Sequence, residues 1–320
     1  MRLGSLTADR PKSLLPVAGR PILARVMERL WDGGIRRFVI VVGRHEAAVR
    51  AALGASFAQS AEIRLVVQAE PSGTVDALAL AWALLDGPFV LTAVDNITSA
   101  SHIRNLIARF EKDPNALATL SLIPASPEEI RQSAGVTVAG EWIAEVVEKP
   151  DTPPGQHAAI MVYAFSPRVF DWLPLAEASS RGERDLANAL AAALRAGERV
   201  SYALADGRLH LTGPGDLLVI NRWYLQEGQH AHFASAIPAS ARLVPPVWID
   251  AGVSVGEGAV IGPNVYAESG AAIGRGARVR DAVVLSGGAI PALVTYEEIV
   301  IDRHATYIAQ ARHEAASEEQ

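Results

Sequence analysis

The chain has 320 residues, half of them hydrophobic, which is enough for two domains with sizeable cores. A balance of 29 Lys and Arg against 35 Asp and Glu leaves a net charge of −6, without the basic footprint of a general nucleic-acid binder. The absence of cysteine excludes disulfides, thiolate zinc sites and cysteine nucleophiles. No apolar run reaches membrane-spanning length, and none follows the first basic residues as a secretory signal would. A soluble, cytoplasmic protein with neither nucleic acid nor membrane as partner is expected.

The first two-thirds alternate short apolar runs with amphipathic segments. Phe38–Val42, Ile63–Val67, Phe89–Ala93 and Ala116–Ile123 read as strands, rich in β-branched residues. Between them His45–Leu53, Val75–Leu85 and Ser101–Phe110 read as helices. This alternation predicts an α/β domain with a mixed, mostly parallel sheet and helices on both faces. Val136–Val138 and Trp142–Val147 then predict a hairpin, Ala158–Phe165 a further strand, and Arg184–Ala196 and Asp216–Gln226 two more helices.

From about residue 245 the period changes. Ile249, Val255, Ile261, Ala267, Ile273, Val279 and Leu285 recur every sixth residue, and so do Val253, Ala259, Val265, Ala271, Ala277, Val283 and Ala289. Glycines keep step at Gly252, Gly256, Gly258, Gly262, Gly270, Gly274, Gly276 and Gly288. A six-residue period fits neither helix nor alternating strand. It is the hexapeptide signature of a parallel β-helix, each short strand pointing a small aliphatic side chain inward and Gly or Asn making the corner. A Gly-rich linker would not hold two apolar series in phase. About two coils are expected, with a boundary near Val244–Pro245–Pro246 and a last strand at Val294–Ile301. The expected domains are 1–243, 244–303 and a tail, 304–320.

Several segments carry chemistry. Lys12 stands in a rigid loop behind Pro11, where an ammonium can be presented to a phosphate, although a loop lysine is more often merely solvated. Gln68 to Asp76 reads as a strand end, a tight turn and a helix start. Such a place suits a nucleotide, and equally a plain connector. Asp95, after the strand at 89–93, can hold a hard cation or cap a turn. Glu148 and Lys149 are adjacent opposite charges, ordinarily a solvated pair.

Together these segments resemble the sugar-1-phosphate nucleotidylyltransferases, the NDP-sugar pyrophosphorylases. LTADRPKSLLPVAGRPIL, Leu6 to Leu23, resembles the family signature AAGxGTRLRPLTxxxPKxLLPVxGKPIL. Gln68 to Asp76 resembles QxxxxGTxxA, Thr92 to Asn96 the "nGDn" segment, Gly135-Val136 with Val147 to Pro150 the "yGvv…EKP" pair, and Leu209 to Asn221 "WxDiGTPeDLLxaN". The resemblance implies a Rossmann-like nucleotidyltransferase domain followed by a short left-handed β-helix. It implies nucleotidyl transfer from a nucleoside triphosphate to a sugar-1-phosphate with Mg²⁺, releasing pyrophosphate. Lys12 would contact the nucleotide phosphates, Gln68, Gly73 and Thr74 the nucleotide, and Gly135, Glu148 and Lys149 the sugar-1-phosphate, Glu148 at the sugar hydroxyls and Lys149 at the phosphate. Asp95 would bind the metal, with His210 at the place of a second ligand. A homo-oligomer, with the β-helix burying surface against a neighbouring subunit, is expected.

The chain also departs from the pattern. Met1 falls where the pattern has the Thr of its glycine-rich loop, so the first strand and that loop are missing from the chain; a start placed at an internal methionine is expected rather than a protein that lacks the loop. His210 stands for an Asp, Ala159 for an Asn and Met161 for a Gly. Imidazole is a poor ligand for Mg²⁺. Two other functions follow from these features. One is a degenerate homologue that binds an NDP-sugar without turnover. The other is a hexapeptide acyltransferase, which His102, His157, His210 and His304 serve poorly because all lie outside the regular repeats.

Overall fold

The computed structural model describes residues 3–57, 61–70, 72–176, 184–228 and 231–308. The chain forms two compact units, Leu23–Arg208 and Met1–Ile22 with Leu209–Gln320. These divisions fall at 22/23 and 208/209, whereas the sequence pattern places a boundary at 243/244.

In chain order the elements that matter are β1 (Pro16–Val17), β2 (Arg20–Pro21), α1 (Ile22–Asp32), β3 (Arg37–Val42), α2 (Glu46–Ser56), β4 (Glu62–Val67), α3 (Thr74–Ala81), β5 (Phe89–Thr92), β6 (Asn96–Ile97), α4 (Ala100–Glu111), β7 (Ala118–Pro124), α5 (Pro127–Arg131), β8 (Ala134–Ala139), β9 (Trp142–Glu148), β10 (His157–Phe165), α6 (Leu186–Arg195), β11 (Val200–Leu204), β12 (Leu209–His210) and α7 (Pro214–Gly228). Helix α1 is absent from the expectations. Its apolar positions Ile22, Leu23, Val26, Met27 and Leu30 carry helical spacing and are all buried.

In the Leu23–Arg208 unit a six-stranded sheet runs β5-β10-β7-β11-β9-β8, and β3 and β4 form a separate parallel pair. The sheet is mixed, as the strand pattern implies, but its pairings are mostly antiparallel, and this corrects the mostly parallel expectation. β10 inserts antiparallel between β5 and β7, placing Tyr163 opposite Leu91 on one side and Leu120 on the other. Among the described pairings of the sheet only β7–β11 is parallel. The physical reason is connectivity. β8 and β9 form a hairpin, and β10 returns without the helical crossover that a parallel neighbour requires. Leu117, Leu120, Leu122, Phe165 and Leu190 are buried in the core of this sheet.

In the other unit the repeat region is built of short strands that pair in parallel. Val247–Ile249 pairs with Val265–Ala267, Ser254–Val255 with Ala272–Ile273, and Arg242–Leu243 with Val260–Ile261, each 18 residues on. Three faces therefore make one coil. The chain of pairings Arg242, Val260, Arg278, Thr295 runs through three coils and starts a fourth, more than the two expected. The step shortens to 17 in the third coil, where Ala267 pairs with Val284 and Ala272 with Ala289. The inward series consequently slips by one residue. Val284, rather than Leu285, continues the core line of Val279, followed by Ile290; Ala282, rather than Val283, continues that of Ala277, and Ala289 is exposed. Left-handed backbone marks the corners in columns. Gly252, Gly270 and Gly287 form one, and Asn264, Asp281 and Glu298 another.

One buried polar contact in the first unit generates a prediction. Ser99 caps α4, and His102 on that helix lies 2 % exposed with its Nε2 2.7 Å from the Ser121 Oγ of β7. Burial holds the imidazole below its ordinary pKa of 6.5, against the opposing field of Asp206. The unfolded chain then binds the extra proton first. Stability is whole above about 6.5 and falls as the pH drops below it. Denaturant midpoints measured from about pH 7.5 down to about pH 5 should fall more steeply in the native chain than in His102→Gln; identical slopes would remove His102 from the account.

Candidate active site

In the Leu23–Arg208 unit the sequence-predicted residues sit at strand ends and turns. Gln68 follows β4; its amide donates to the Val42 carbonyl at 2.8 Å, and its Nε2 to the Ser72 hydroxyl at 3.3 Å. Gly73, φ +115°, caps α3, and a Cβ there would meet the backbone N and O of Arg184 at 2.9 Å. Val75 donates its amide to that same Arg184 carbonyl at 3.3 Å, and the Arg184 guanidinium pairs with Asp76 at 3.3 Å. Glycine is thus required at 73 by both conformation and close approach, independently of any ligand. Thr74 opens the helix beside it.

Asp95 stands just beyond β5, half-buried, accepting a hydrogen bond from the Asn96 Nδ2 at 3.0 Å. The register of the sheet places it. The Ala93 amide donates to the Met161 carbonyl of β10, which carries Asp95 towards the end of the sheet where Ala159 lies opposite Leu122 and Ala134, and Ala134 opposite Glu148. Between Ile160 and Tyr163 the register of β10 against β7 shifts, so Met161 sits at a bulge. Lys149 follows Glu148 in left-handed backbone, φ +42°, with its Nζ 2.7 Å from Glu148 Oε1. Its own amide donates to the Ser133 carbonyl at 2.9 Å. Gly135 is buried, and a Cβ there would press on Ile130 and Pro154 at 2.8 Å, so packing alone demands glycine at that position.

Two residues that the sequence pattern does not single out join this group. Tyr163 is buried, and desolvation, together with the nearby Glu148, raises its phenol above the ordinary value, while Arg208 works the other way. Burial pulls the Arg208 guanidinium below the usual arginine value, and the charges of Glu129 and Asp95 offset part of that. The half-buried Arg208 therefore carries its charge within electrostatic reach of Asp95, Glu129 and Tyr163. Arg208 stands two residues before His210, just ahead of the Leu209–Asn221 segment, and nothing in the sequence marks it. Among the described residues no three His, Cys, Asp or Glu side chains converge into a metal cage. A single carboxylate such as Asp95 still fits Mg²⁺, which is usually held by one or two carboxylates with substrate phosphates and water completing its shell.

Lys12 and His210 belong to the other compact unit. Pro11, extended at ψ 155°, precedes a 3₁₀ turn at Lys12–Leu14. The loop then makes a two-residue hairpin between β1 and β2, with Ala18 and Gly19 both in left-handed backbone at φ +44° and φ +80°. Trp248 packs against this turn so closely that a Cβ on Gly19 would lie 2.3 Å from the indole. Asn221 of α7, 1 % exposed, accepts from the Ala18 amide at 2.8 Å and donates to the carbonyls of Pro16 at 3.2 Å and Leu217 at 2.9 Å. The helix carrying Asn221 is itself anchored by Asp216, whose Oδ2 accepts from the amides of Thr212 at 2.7 Å and Gly213 at 2.8 Å and from the Thr212 hydroxyl. His210 lies in extended backbone just before that cap.

The nucleotidyl transferase family model matches residues 1–254, and the chain belongs to that family. It is similar to the low-salt glycan biosynthesis nucleotidyltransferase Agl11 of Haloferax volcanii, 31% identical over 229 residues, covering 71% of this chain and 63% of that protein. It is equally similar to the UTP–glucose-1-phosphate uridylyltransferase AglF of the same organism, 31% identical over 216 residues, covering 67% of this chain and 88% of that one. The match thus spans less than two thirds of Agl11. Among solved structures, an apo UDP-glucose pyrophosphorylase superposes with a TM-score of 0.62 at 18% identity, over 71% of this chain and 94% of that one, a likeness of fold. No helix among the described residues is long and apolar enough to cross a membrane.

Asn221→Ala leaves the Ala18 amide and the Pro16 carbonyl buried without their partner. The expected cost is about 2–4 kcal/mol, roughly 1–3 for each stranded group with some relaxation. The midpoint of denaturant unfolding checks it, and a shift under about 0.5 kcal/mol would show that the loop does not depend on this amide.

Proposed function

We propose that the chain forms an NDP-sugar and pyrophosphate from a nucleoside triphosphate and a sugar-1-phosphate. The observation that supports this most is the strand register that brings Asp95 and Glu148 to one end of the sheet, with Tyr163 and Arg208 within electrostatic reach of them, in a chain of the nucleotidyl transferase family. A phosphate oxygen of the sugar-1-phosphate attacks the α-phosphorus in line, and pyrophosphate leaves with its bonding electrons. Little covalent work falls to the protein in such a transfer, so catalysis is positioning and charge neutralisation.

In this reading Lys12 holds the nucleotide phosphates and Lys149 the sugar phosphate. Gln68, Gly73 and Thr74 border the nucleotide, while Gly135 and Glu148 border the sugar. Mg²⁺ supplies charge neutralisation when bound, and Asp95 would hold it. His210 is left out as a ligand because imidazole suits softer metals. The hexapeptide period supports reading the repeats, about 244–303, as a left-handed parallel β-helix after a nucleotidyltransferase part at 1–243, with 304–320 as a tail. Exposed Phe233, Leu293 and Ile308 support a contact with a second copy of the chain, and a cytoplasmic setting completes the reading.

Pyrophosphate release with Mg²⁺ across nucleoside triphosphates and sugar-1-phosphates tests the proposal. One pair should turn over. Lys149→Ala and Asp95→Asn should each lower kcat/KM by about 10²–10³-fold, the usual loss when one charge-stabilising contact is removed. Nucleotide binding without turnover of any pair would replace this reading with that of a binding protein.

A further inference from the structure

In the unit formed by Met1–Ile22 and Leu209–Gln320, one column of the repeat region holds the segment that carries Lys12. Ile249, Ala267, Val284 and Ile301 are register partners from coil to coil. The residues that follow them, Asp250, Glu268, Leu285 and Asp302, therefore stack at the same corner. Their backbone repeats the step: the Asp250 amide donates to the Ala267 carbonyl at 2.9 Å, Glu268 to Val284 at 2.8 Å and Leu285 to Ile301 at 2.8 Å.

The three carboxylates of this column each have a use. Asp302 accepts from the Ser5 hydroxyl at 2.5 Å, and the Tyr307 hydroxyl lies 2.8 Å from that same oxygen and accepts from the Ser5 amide at 3.1 Å. Glu268 takes a two-pronged pair from Arg10, at 2.5 and 3.0 Å, while its Oε2 also accepts from the Ser286 amide of the next coil at 2.8 Å. Asp250 accepts from the Tyr266 hydroxyl at 2.7 Å and from Trp248 Nε1 at 2.8 Å, and Trp248 is the side chain packed on Gly19. Residues 5, 10 and 19 thus meet the coils in reverse order, and Lys12 falls between the second and third of these contacts.

Arg10 is the contact nearest to Lys12. Only Pro11 separates them, at φ −69° and ψ 155°, so the direction in which the chain leaves Arg10 sets where the turn at Lys12–Leu14 begins. Side-chain exposures of 24 % and 17 % take the Arg10–Glu268 pair out of the class of loosely solvated surface pairs. Two parallel bonds fix angle as well as distance, and Glu268 cannot follow a moving arginine because Ser286 holds its carboxylate.

We propose that Glu268 is a positioning residue for Lys12. Through Arg10 and Pro11 it fixes the loop whose ammonium meets the nucleotide phosphates, so the repeat region supports the chemistry as well as the fold. This rests on the role given to Lys12 above.

A double variant tests it. Arg10→Met with Glu268→Leu removes both charges together, so neither is left unpaired, and an apolar pair of this kind often keeps native stability. Tm should stay close to that of the native chain. The kcat/KM for the nucleoside triphosphate should still fall by about tenfold to a hundredfold, with KM carrying more of the loss than kcat. The amides of Leu14 and Leu15, which close the turn at Lys12, should exchange at least about tenfold faster, while those of Val260 and Gly262 in the coils keep their rates. Arg10→Lys keeps the charge but loses one prong; it should move both readouts the same way by less, and it serves if the double variant does not fold. A pair that matters only for stability predicts that activity returns with Tm. Native kcat/KM, or native exchange at Leu14 and Leu15, would therefore overturn the positioning role. If no substrate pair turns over, the proposed reaction fails separately and the exchange at Leu14 and Leu15 alone decides whether Glu268 holds the loop.

Discussion

A single buried carboxamide ties together parts of the chain that are 200 residues apart. Asn221 serves the backbone at Pro16 and Ala18 on one side and the turn of its own helix on the other. Without it the hairpin at Pro16–Pro21 would bury an amide and a carbonyl with nowhere to turn, because both lie in an apolar setting beside Leu15, Val17 and Leu217. With the Arg10–Glu268 ion pair and the Ser5–Tyr307 hydrogen bonds, Asn221 joins the two stretches of one compact unit, Met1–Ile22 and Leu209–Gln320. The loop carrying Lys12 precedes this fastened hairpin, and the fastening limits where an ammonium at residue 12 can go.

Strand and helix positions in the first two-thirds were largely legible because each apolar run sits between turn residues. Phe38–Val42 against Arg37–Val42, and Ala158–Phe165 against His157–Phe165, differ by a residue at one end. Pairing partners were not legible. Nothing in the run His157–Phe165 says that it enters between two strands that point the other way, since apolar runs buried on both faces look alike in either direction. Helix α1 was hidden because its first residues continue a loop motif. In the repeats the six-residue period was plain, but the loss of one residue in the third coil was not, because Val283, Val284 and Leu285 are all apolar and any of them fits the pattern.

The candidate site was legible by type more than by cause. Gly73 and Gly135 were marked as ligand-facing, yet the backbone of Arg184 and the side chains of Ile130 and Pro154 already demand glycine at those positions. Asp95, Glu148 and Lys149 were marked by local pattern, and the strand register explains how Asp95 and Glu148 reach the same end of the sheet. Arg208 carries no signal of its own. Its meaning comes from partial burial within electrostatic reach of Asp95, Glu129 and Tyr163, which is a property of the assembled fold.

The coil step of 18 residues restricts how the repeat region can lengthen. Each strand is templated by the one a full coil earlier, and the corner columns Gly252–Gly270–Gly287 and Asn264–Asp281–Glu298 stack in the same way, the Asn264 amide donating to Asp281 at 2.9 Å. Adding one hexad would move every later strand on to the next face, away from the strand that templates it, even though a left-handed corner closes every hexad, with Gly258, Gly276 and Leu293 as the third column. Adding three hexads together would restore every column. The natural unit of growth or loss in such an array is therefore the whole coil, even though the pattern visible along the chain is a third of it.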